Sequence, residues 1–557
     1  MAHALAGKPV QEQDIIDVQT IVDAYFDNVP DMTNPTQLVS FGTSGHRGTS
    51  VDGTFTDLHV AAITQAICDG RKQFGATGPI FVGQDTHALS QPALVTVLEV
   101  LAGNGVTAMV DCDMAFVPTP SVSRAIIRYN EEHEDKADGI IITPSHNPPD
   151  NGGIKYNTII GGPADTVVTK WIEMRANEYL TAYCESEDFK RISIDNIEPT
   201  AQVPYDYKGL YVEELGNVIN MEAIKAAGPK VLVDTLGGSG ASYWNAIKER
   251  YGLDLTIIHD DYDPTFSFMT YDHDGKVRMD CSSTYVMASV INRIGDFDLA
   301  VGNDPDYDRY GIVVSSGLIS ANTFLTLAAR YLFTTRGWKH KGVGKTVVCT
   351  TMIDKWAADA ETPVYEVPVG FKYFSQLLFD GAIGIGGEES AGASFLKKDG
   401  TVWTTDKDGM IMALLSMEIM AVMGQSALKM TDEFVEEFGN PSFGRIDAPC
   451  KKEQKQILKQ MSAELITATT VDGDPITNIR TTSLYNDMPI DGVRVETDKG
   501  WFVARPSGTE DLYKIYGESY KGDLGLVALL TAGEEIVNAA LNLSLIHISE
   551  PTRRVVI

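Results

Sequence analysis

Apolar and polar positions along the chain alternate between two periods. From residue 10 to 28, Ile15, Ile16, Val18, Ile21, Val22 and Tyr25 recur at helical spacing. A polar linker then leads into the Gly/Ser/Thr-rich run Val39-Ser40-Phe41-Gly42-Thr43-Ser44-Gly45-His46-Arg47-Gly48. Between about 57 and 205, helical stretches precede short apolar runs: 58–75 before 79–83, 91–103 before 106–110, and 120–131 before Gly139-Ile140-Ile141-Ile142. That alternation predicts βαβ winding. A second unit opens near Tyr207, with a helix over 221–227 and strands at 230–234, 255–258 and 297–303. A third runs from 319 to 437, with a helix over 322–335, strands at 346–349, 365–367 and 384–387, and a helix over 408–423. Phe438-Gly439-Asn440-Pro441 reads as a linker. The helix, three strands and last helix beyond it predict an α+β domain.

The fold class is therefore α/β: three related mixed α/β domains followed by a C-terminal α+β domain. We expect boundaries at 1–205, 206–318, 319–437 and 438–541. Residues 542–557 stand apart, because Leu543-Ser544-Leu545-Ile546-His547-Ile548-Ser549-Glu550-Pro551-Thr552-Arg553 resembles the translation of a sequencing-library adapter. They are read as a non-native tail, and the native chain is expected to end at or shortly after Leu541.

Composition adds constraints. The 557 residues are 43% hydrophobic and carry 76 acidic against 45 basic side chains, a formal charge of -31, which disfavours nucleic acid and anionic membrane surfaces as partners. Any anionic substrate must then be met by a few cations gathered inside motifs. The six cysteines are scattered without zinc spacing, no leader pattern opens the chain, and no uninterrupted apolar run of about 20 residues is present. A reduced cytoplasmic protein is the expectation.

Four motifs carry chemistry. Thr143-Pro144-Ser145-His146-Asn147-Pro148-Pro149-Asp150 follows an apolar strand, so Ser145 sits on a constrained turn at the sheet's carboxyl edge, where open α/β sheets keep ligands. His146 next to it should point away in extended chain, and no G-x-S-x-G surrounds it, so a hydrolase triad is unsupported. Asp304, Asp306 and Asp308 in Asp304-Pro305-Asp306-Tyr307-Asp308-Arg309 would face one side of an extended chain, an oxygen-only set that suits Mg²⁺; a solvated acidic loop is the alternative. Exposed in that way, the loop should tolerate Asp306→Ala without unfolding. Gly386-Gly387-Glu388-Glu389-Ser390-Ala391-Gly392 offers acceptors for vicinal sugar hydroxyls, although an acidic turn explains it equally well. Arg505-Pro506-Ser507-Gly508-Thr509-Glu510 combines a guanidinium with hydroxyls and glycine-exposed N–H groups, a phosphate nest. Arg47 in the early glycine-rich loop is a further candidate phosphate contact, with an ordinary turn as the alternative. Gly342-Val343-Gly344-Lys345-Thr346 fails as a P-loop, because Lys339 takes the first glycine's place and no helix follows.

A hydroxyl, a metal set, a sugar grip and a phosphate nest, one per domain, ask for phosphoryl transfer on a phosphorylated sugar. In the order and spacing of T-P-S-H-N-P, D-P-D-Y-D-R, G-E-E-S and R-P-S-G-T-E the chain resembles the α-D-phosphohexomutase family, in its glucose-type branch, up to about Leu541. The resemblance implies domains set around a central active-site cleft. It implies a phosphoserine at Ser145 whose phosphate ligates Mg²⁺ together with Asp304, Asp306 and Asp308. It also implies exchange of glucose 1-phosphate and glucose 6-phosphate through glucose 1,6-bisphosphate. By the same resemblance Lys155 is a proton-transfer residue or an electrostatic clamp, and Arg47, His146 and Arg309 line the reacting phosphate. Glu388 and Ser390 hold sugar hydroxyls, Lys372 and Lys398 bind substrate, and Arg505, Ser507, Gly508 and Thr509 hold the non-reacting phosphate. The sequence does not speak to oligomeric state. A glucosamine- or mannose-phosphate mutase, a non-catalytic sugar-phosphate binder and a phosphatase are the alternatives.

Overall fold

The computed structural model describes residues 2–42, 45–183, 189–425, 427–506 and 512–549. Its contacts divide the chain into two units, residues 1–341 with 371–430 and residues 342–370 with 431–557.

The first unit opens with a six-stranded mixed sheet. Its strands are β1 (His46–Thr49), β2 (Ile80–Gln84), β3 (Ala108–Asp111), β4 (Asp138–Ile142), β5 (Asn151–Asn157) and β6 (Gln202–Tyr205), in the order β1-β5-β4-β2-β3-β6. β4, β2, β3 and β6 run parallel, whereas β5 returns antiparallel to β4 and β1 antiparallel to β5. The helices Asp57–Gly70 and Ser90–Gly103 are buried along most of their length, and β2 and β4 are buried throughout, as expected for parallel strands covered on both faces.

The antiparallel return of β5 follows from the turn at residues 143–150, which is too short for a crossover helix. It places Lys155 opposite Ile141 and Arg47 opposite Gly153. A β-carbon on Gly153 would lie 2.2 Å from Thr143 O, so only glycine lets β5 pass this close to the Ser145 turn.

A second mixed sheet holds β7 (Val231–Asp234), β8 (Leu255–Ile258), β9 (Leu299–Gly302), β10 (Gly311–Val314) and β11 (Gly317–Leu318), in the order β11-β10-β9-β7-β8. Residues 304–308 form the β9–β10 turn.

The next pair, β12 (Gly342–Thr346) and β13 (Val364–Val367), runs parallel and belongs to the second unit. The antiparallel pair β14 (Ile383–Gly387) and β15 (Ala393–Phe395) belongs to the first. The strand expected at 346–349 is thus shifted toward the N-terminus. Val347 and Val348 leave the ladder and pack with Ile490, Trp501 and Val503, and buried Lys345 is tolerated inside β12 because it pairs with Asp354.

The second unit is completed by β16 (Ser442–Pro449), β17 (Thr470–Val471), β18 (Asp474–Thr482), β19 (Pro489–Thr497), β20 (Gly500–Pro506) and β21 (Leu512–Ser519). They form a sheet in the order β16-β21-β20-β19-β18-β17, antiparallel throughout. The long helix beginning at Gly522 covers it. Although Asp523, Glu534 and Glu535 interrupt it, Gly522–Asn542 is long and apolar enough by length and composition to cross a membrane. Its Leu529, Leu530, Val537, Ala540 and Leu541 are instead buried in the core of this sheet.

Candidate functional site

Ser145 is 1% exposed and takes φ 62°, a left-handed conformation that costs a residue with a β-carbon about 1–2 kcal/mol. The sign of this φ decides what the side chain meets. Ser145 Oγ donates to Asp304 Oδ2 at 2.9 Å and lies 3.3 Å from His146 Nδ1, so the two neighbours share a side rather than diverging as extended chain would require.

The three aspartates are likewise not on an extended strand. They occupy a turn in which Tyr307 has φ 62°, and that turn still gathers carboxylate oxygens of Asp304, Asp306 and Asp308 within 4.8 Å of one another. Nor is the loop exposed, since all three are buried to 1% or less. Asp304 Oδ1 accepts from Arg309 N at 2.9 Å. Asp306 Oδ2 accepts from Lys155 Nζ at 2.6 Å and Thr119 Oγ1 at 2.7 Å. Asp308 Oδ2 meets Lys155 Nζ at 3.1 Å and Lys407 Nζ at 3.0 Å. Oδ1 of Asp306 and Oδ1 of Asp308 are buried without a hydrogen-bond partner among the described residues. Buried carboxylate oxygens with nothing to accept from, beside a serine oxygen and a third carboxylate, fit a hard divalent cation.

Electrostatics divides the set. Burial, followed by the charges of Asp306 and Asp308, holds the Asp304 carboxyl well above the usual range. For Asp308 burial acts in the same direction, but Lys155, Lys407 and Arg309 outweigh it and keep the carboxylate ionised. Burial disfavours the Lys155 ammonium, yet Asp306 and Asp308 prevail and raise its pKa. In this arrangement the charged form of Lys155 is thus the favoured one. Burial, then repulsion by Arg309, keeps the His146 imidazole neutral.

The first unit brings Arg47, His146 and Arg309 to the same place. Arg47 reaches Asn147 Oδ1 at 3.5 Å and feels Asp306 and Asp308. Arg309 pairs with Asp280 at 3.3 Å and approaches Asp308 at 3.9 Å. The backbone bridge Arg309↔Gly392 brings the Glu388 loop alongside. Glu388 is 7% exposed, and burial, moderated by Lys407, pushes its carboxyl up to about 7. Ser390 is half-buried on the same loop.

Lys372 and Lys398 are placed otherwise. Lys372 Nζ donates to Thr166 Oγ1 at 2.8 Å. Lys398 lies beside residues 217–219: its backbone N–H donates to Asn217 O at 2.8 Å and its Nζ points to Ile219 O at 3.5 Å, so its ammonium is not directed at the aspartates. Among the described residues Lys407 reaches them together with Lys155, and it belongs to none of the sequence motifs. It is 7% exposed, and a β-carbon on Gly392 would lie 2.3 Å from its Cδ, so glycine makes room for its stem. A lysine between two aspartates immediately before a largely apolar helix, in Asp406-Lys407-Asp408, is the signal the sequence carries for it. Asp280 also falls outside every motif; it faces His146 Nε2 at 3.8 Å as well as Arg309. In the second unit, Arg505 stands on β20 opposite Lys514, and its buried Nε has no hydrogen-bond partner among the described residues. Ser507, Gly508 and Thr509 lie outside the described residues, as do 550–557 of the tail.

Comparison with known proteins bears on these features. Profiles of phosphoglucomutase/phosphomannomutase match in chain order: α/β/α domain I over residues 38–182, domain II over 210–317, domain III over 320–438 and the C-terminal domain over 447–524. A phosphoglucomutase of Komagataeibacter xylinus is 46% identical over 539 residues, covering 96% of this chain and 97% of that one. Among solved structures, the open form of Paramecium parafusin, a phosphoglucomutase, superposes with a TM-score of 0.71 at 19% identity, covering 92% of this chain and 96% of that one. A phosphoglucomutase/phosphomannomutase family protein of Burkholderia thailandensis gives 0.67 at 20%, covering 90% and 98%. With four family domains in order and a relative at this identity over nearly its full length, the chain belongs to the phosphoglucomutase/phosphomannomutase family and is a mutase of the isomerase class.

Proposed function

We propose that this enzyme interconverts glucose 1-phosphate and glucose 6-phosphate through a phosphoserine at Ser145 and a glucose 1,6-bisphosphate intermediate, with Mg²⁺ held by Asp304, Asp306 and Asp308. The observation that carries this reading is the 2.9 Å contact of Ser145 Oγ with Asp304, beside the Oδ1 atoms of Asp306 and Asp308 that have no hydrogen-bond partner among the described residues. When bound, the metal supplies charge neutralisation on the transferring phosphoryl group. Lys155, Arg47 and Arg309 complete that neutralisation from the chain itself, without needing to move at the moment of transfer. His146, kept neutral and 3.3 Å from Ser145 Oγ, is able to donate from Nδ1 to the hydroxyl oxygen whose own proton goes to Asp304, and so fix the hydroxyl's rotamer when the serine is free. Glu388, with Ser390, is assigned the sugar hydroxyls; a carboxyl pushed up to about 7 can donate or accept, which suits a sugar that must be held in two poses. The retention of both Glu388 and Glu389 favours glucose over glucosamine or mannose phosphates. The scattered cysteines favour the cytoplasm as the place of action.

A coupled assay of glucose 1-phosphate conversion, with and without a trace of glucose 1,6-bisphosphate, tests the reading together with intact-mass detection of one phosphate on Ser145. We expect activation by the bisphosphate and no turnover in Ser145→Ala with sugar-phosphate binding kept. Near-normal turnover in that variant would remove the phosphoserine. Higher kcat/KM on a glucosamine or mannose 1-phosphate would reassign the substrate.

A further inference from the structure

The turn carrying Ser145 is braced from beneath by the loop after β2. Asp85 N donates to Ile142 O at 3.0 Å, which fixes Asp85 at the end of β4. Its carboxylate then collects four donors. Oδ1 accepts from His87 N at 3.0 Å and Ser90 Oγ at 2.5 Å, and Oδ2 from His87 Nδ1 at 2.8 Å and Thr143 Oγ1 at 2.6 Å. Asp85, His87, Ser90 and Thr143 are all buried to 1% or less. Having given its proton to Asp85, the Thr143 hydroxyl can only accept on its other side, and it accepts the Ser145 N–H at 2.7 Å.

The far end of the turn is held by the same pair. His87 Nε2 lies 3.0 Å from Asn147 O. A carboxylate and a carbonyl are both acceptors, so the ring donates from both nitrogens. Burial opposes the resulting charge, but Asp85 beside it raises the His87 pKa. The chain of bonds is therefore continuous: Ser145 N–H to Thr143, Thr143 to Asp85, His87 to Asp85 and His87 to Asn147 O. Between its two anchors sits the left-handed Ser145, a conformation that persists only where the surroundings over-determine it.

We propose that Asp85 and His87 are positioning residues for phosphoryl transfer, a buried pair that locks the Ser145 turn at both ends and aims its Oγ at Asp304. The proposal rests on reading Ser145 as the phosphoryl carrier. A misplacement of about 1 Å can cost on the order of 100-fold in rate, which is the leverage such a brace holds.

The test compares His87→Ala, His87→Gln, Thr143→Val, Thr143→Ser and Ser145→Ala as full-length proteins. Activity is normalised to folded protein, and kcat and KM are separated. Gln keeps a donor for Asn147 O, and Ser keeps the hydroxyl that links Asp85 to Ser145 N. We expect His87→Ala and Thr143→Val to lose about 10- to 100-fold in kcat with KM changed less than about threefold, and His87→Gln and Thr143→Ser to regain most of that loss. If His87→Ala does not fold, the Thr143 pair decides alone. Wild-type kcat in folded Thr143→Val or His87→Ala, or a loss that the conservative variants do not restore, overturns the proposal. Turnover by Ser145→Ala would instead overturn the carrier reading, so the two failures are told apart.

Discussion

At the scale of single residues, the buried triplet changes what a substitution should do. In Asp306→Ala, Lys155 loses its 2.6 Å partner and keeps only Asp308, while Thr119 loses its acceptor. In the metal-free protein burial already favours the protonated form of Asp304, so little like-charge repulsion is relieved in exchange. Leaving a buried charge without its partner typically costs about 3–5 kcal/mol, and the remaining contact to Asp308 should reduce this to about 2 kcal/mol. Denaturant titration of the metal-free protein should therefore show Asp306→Ala destabilised by about that amount, against the tolerance expected of an exposed loop. Magnesium should also stabilise the wild type and leave Asp306→Ala unmoved, because a ligand bound only by the native state adds its binding free energy to stability. Equal stability of the two metal-free proteins would mean that Lys155 is not held by Asp306 in solution. Lys407 sharpens the same point. Its contact with Asp308 predicts that Lys407→Met loses far more kcat/KM than Lys398→Met, a contrast read directly from initial rates.

At the scale of elements, the alternation of helical and strand periods was legible because it is a property of neighbouring positions. The details that fix the site were not, because they depend on backbone sign and on partners far along the chain. Ser145 and His146 share a side only because φ of Ser145 is positive. β12 carries a lysine that its local pattern cannot justify, since the pairing with Asp354 that makes Lys345 tolerable lies beyond the strand. The helix Gly409–Met423 offers a further case. Its N-cap Asp408 accepts from Ile411 N at 3.2 Å and is fully buried with Tyr211 and Trp403, and burial pushes its carboxyl up to about 6. Since this folded value lies above the usual 3.8, its contribution to stability is fully present below about pH 4 and is lost as pH rises through 6. Asp408→Asn keeps an acceptor and sheds the charge. Relative to wild type it should therefore gain up to about 3 kcal/mol between about pH 4 and pH 8, because each tenfold difference in proton affinity between the folded and unfolded chain is worth about 1.4 kcal/mol. Denaturant titrations at the two pH values check this, and a difference that stays constant with pH would show that Asp408 is ionised throughout.

At the scale of the whole molecule, a chain of formal charge -31 must admit anionic sugar phosphates. The sequence suggested that cations would be gathered locally to do so, and they are, but not in excess. Arg47, Lys155, Arg309 and Lys407 are set against Asp280, Asp304, Asp306 and Asp308, and once metal ligation has taken the proton from Asp304 the gathered side-chain charges nearly cancel. A site balanced in this way grips a phosphate at short range through direct contacts, yet projects little positive field into solvent. The approaching substrate should then feel chiefly the acidic surface. Screening shortens the reach of that repulsion from about 30 Å at 0.01 M salt to about 8 Å at 0.15 M. Raising NaCl across this range at saturating Mg²⁺ should accordingly increase kcat/KM for glucose 1-phosphate, by roughly two- to fivefold, with kcat nearly unchanged. A cleft that steers its substrate with surplus positive charge would show the opposite, a steady fall in kcat/KM with salt. That outcome would mean the cations outweigh the aspartates electrostatically.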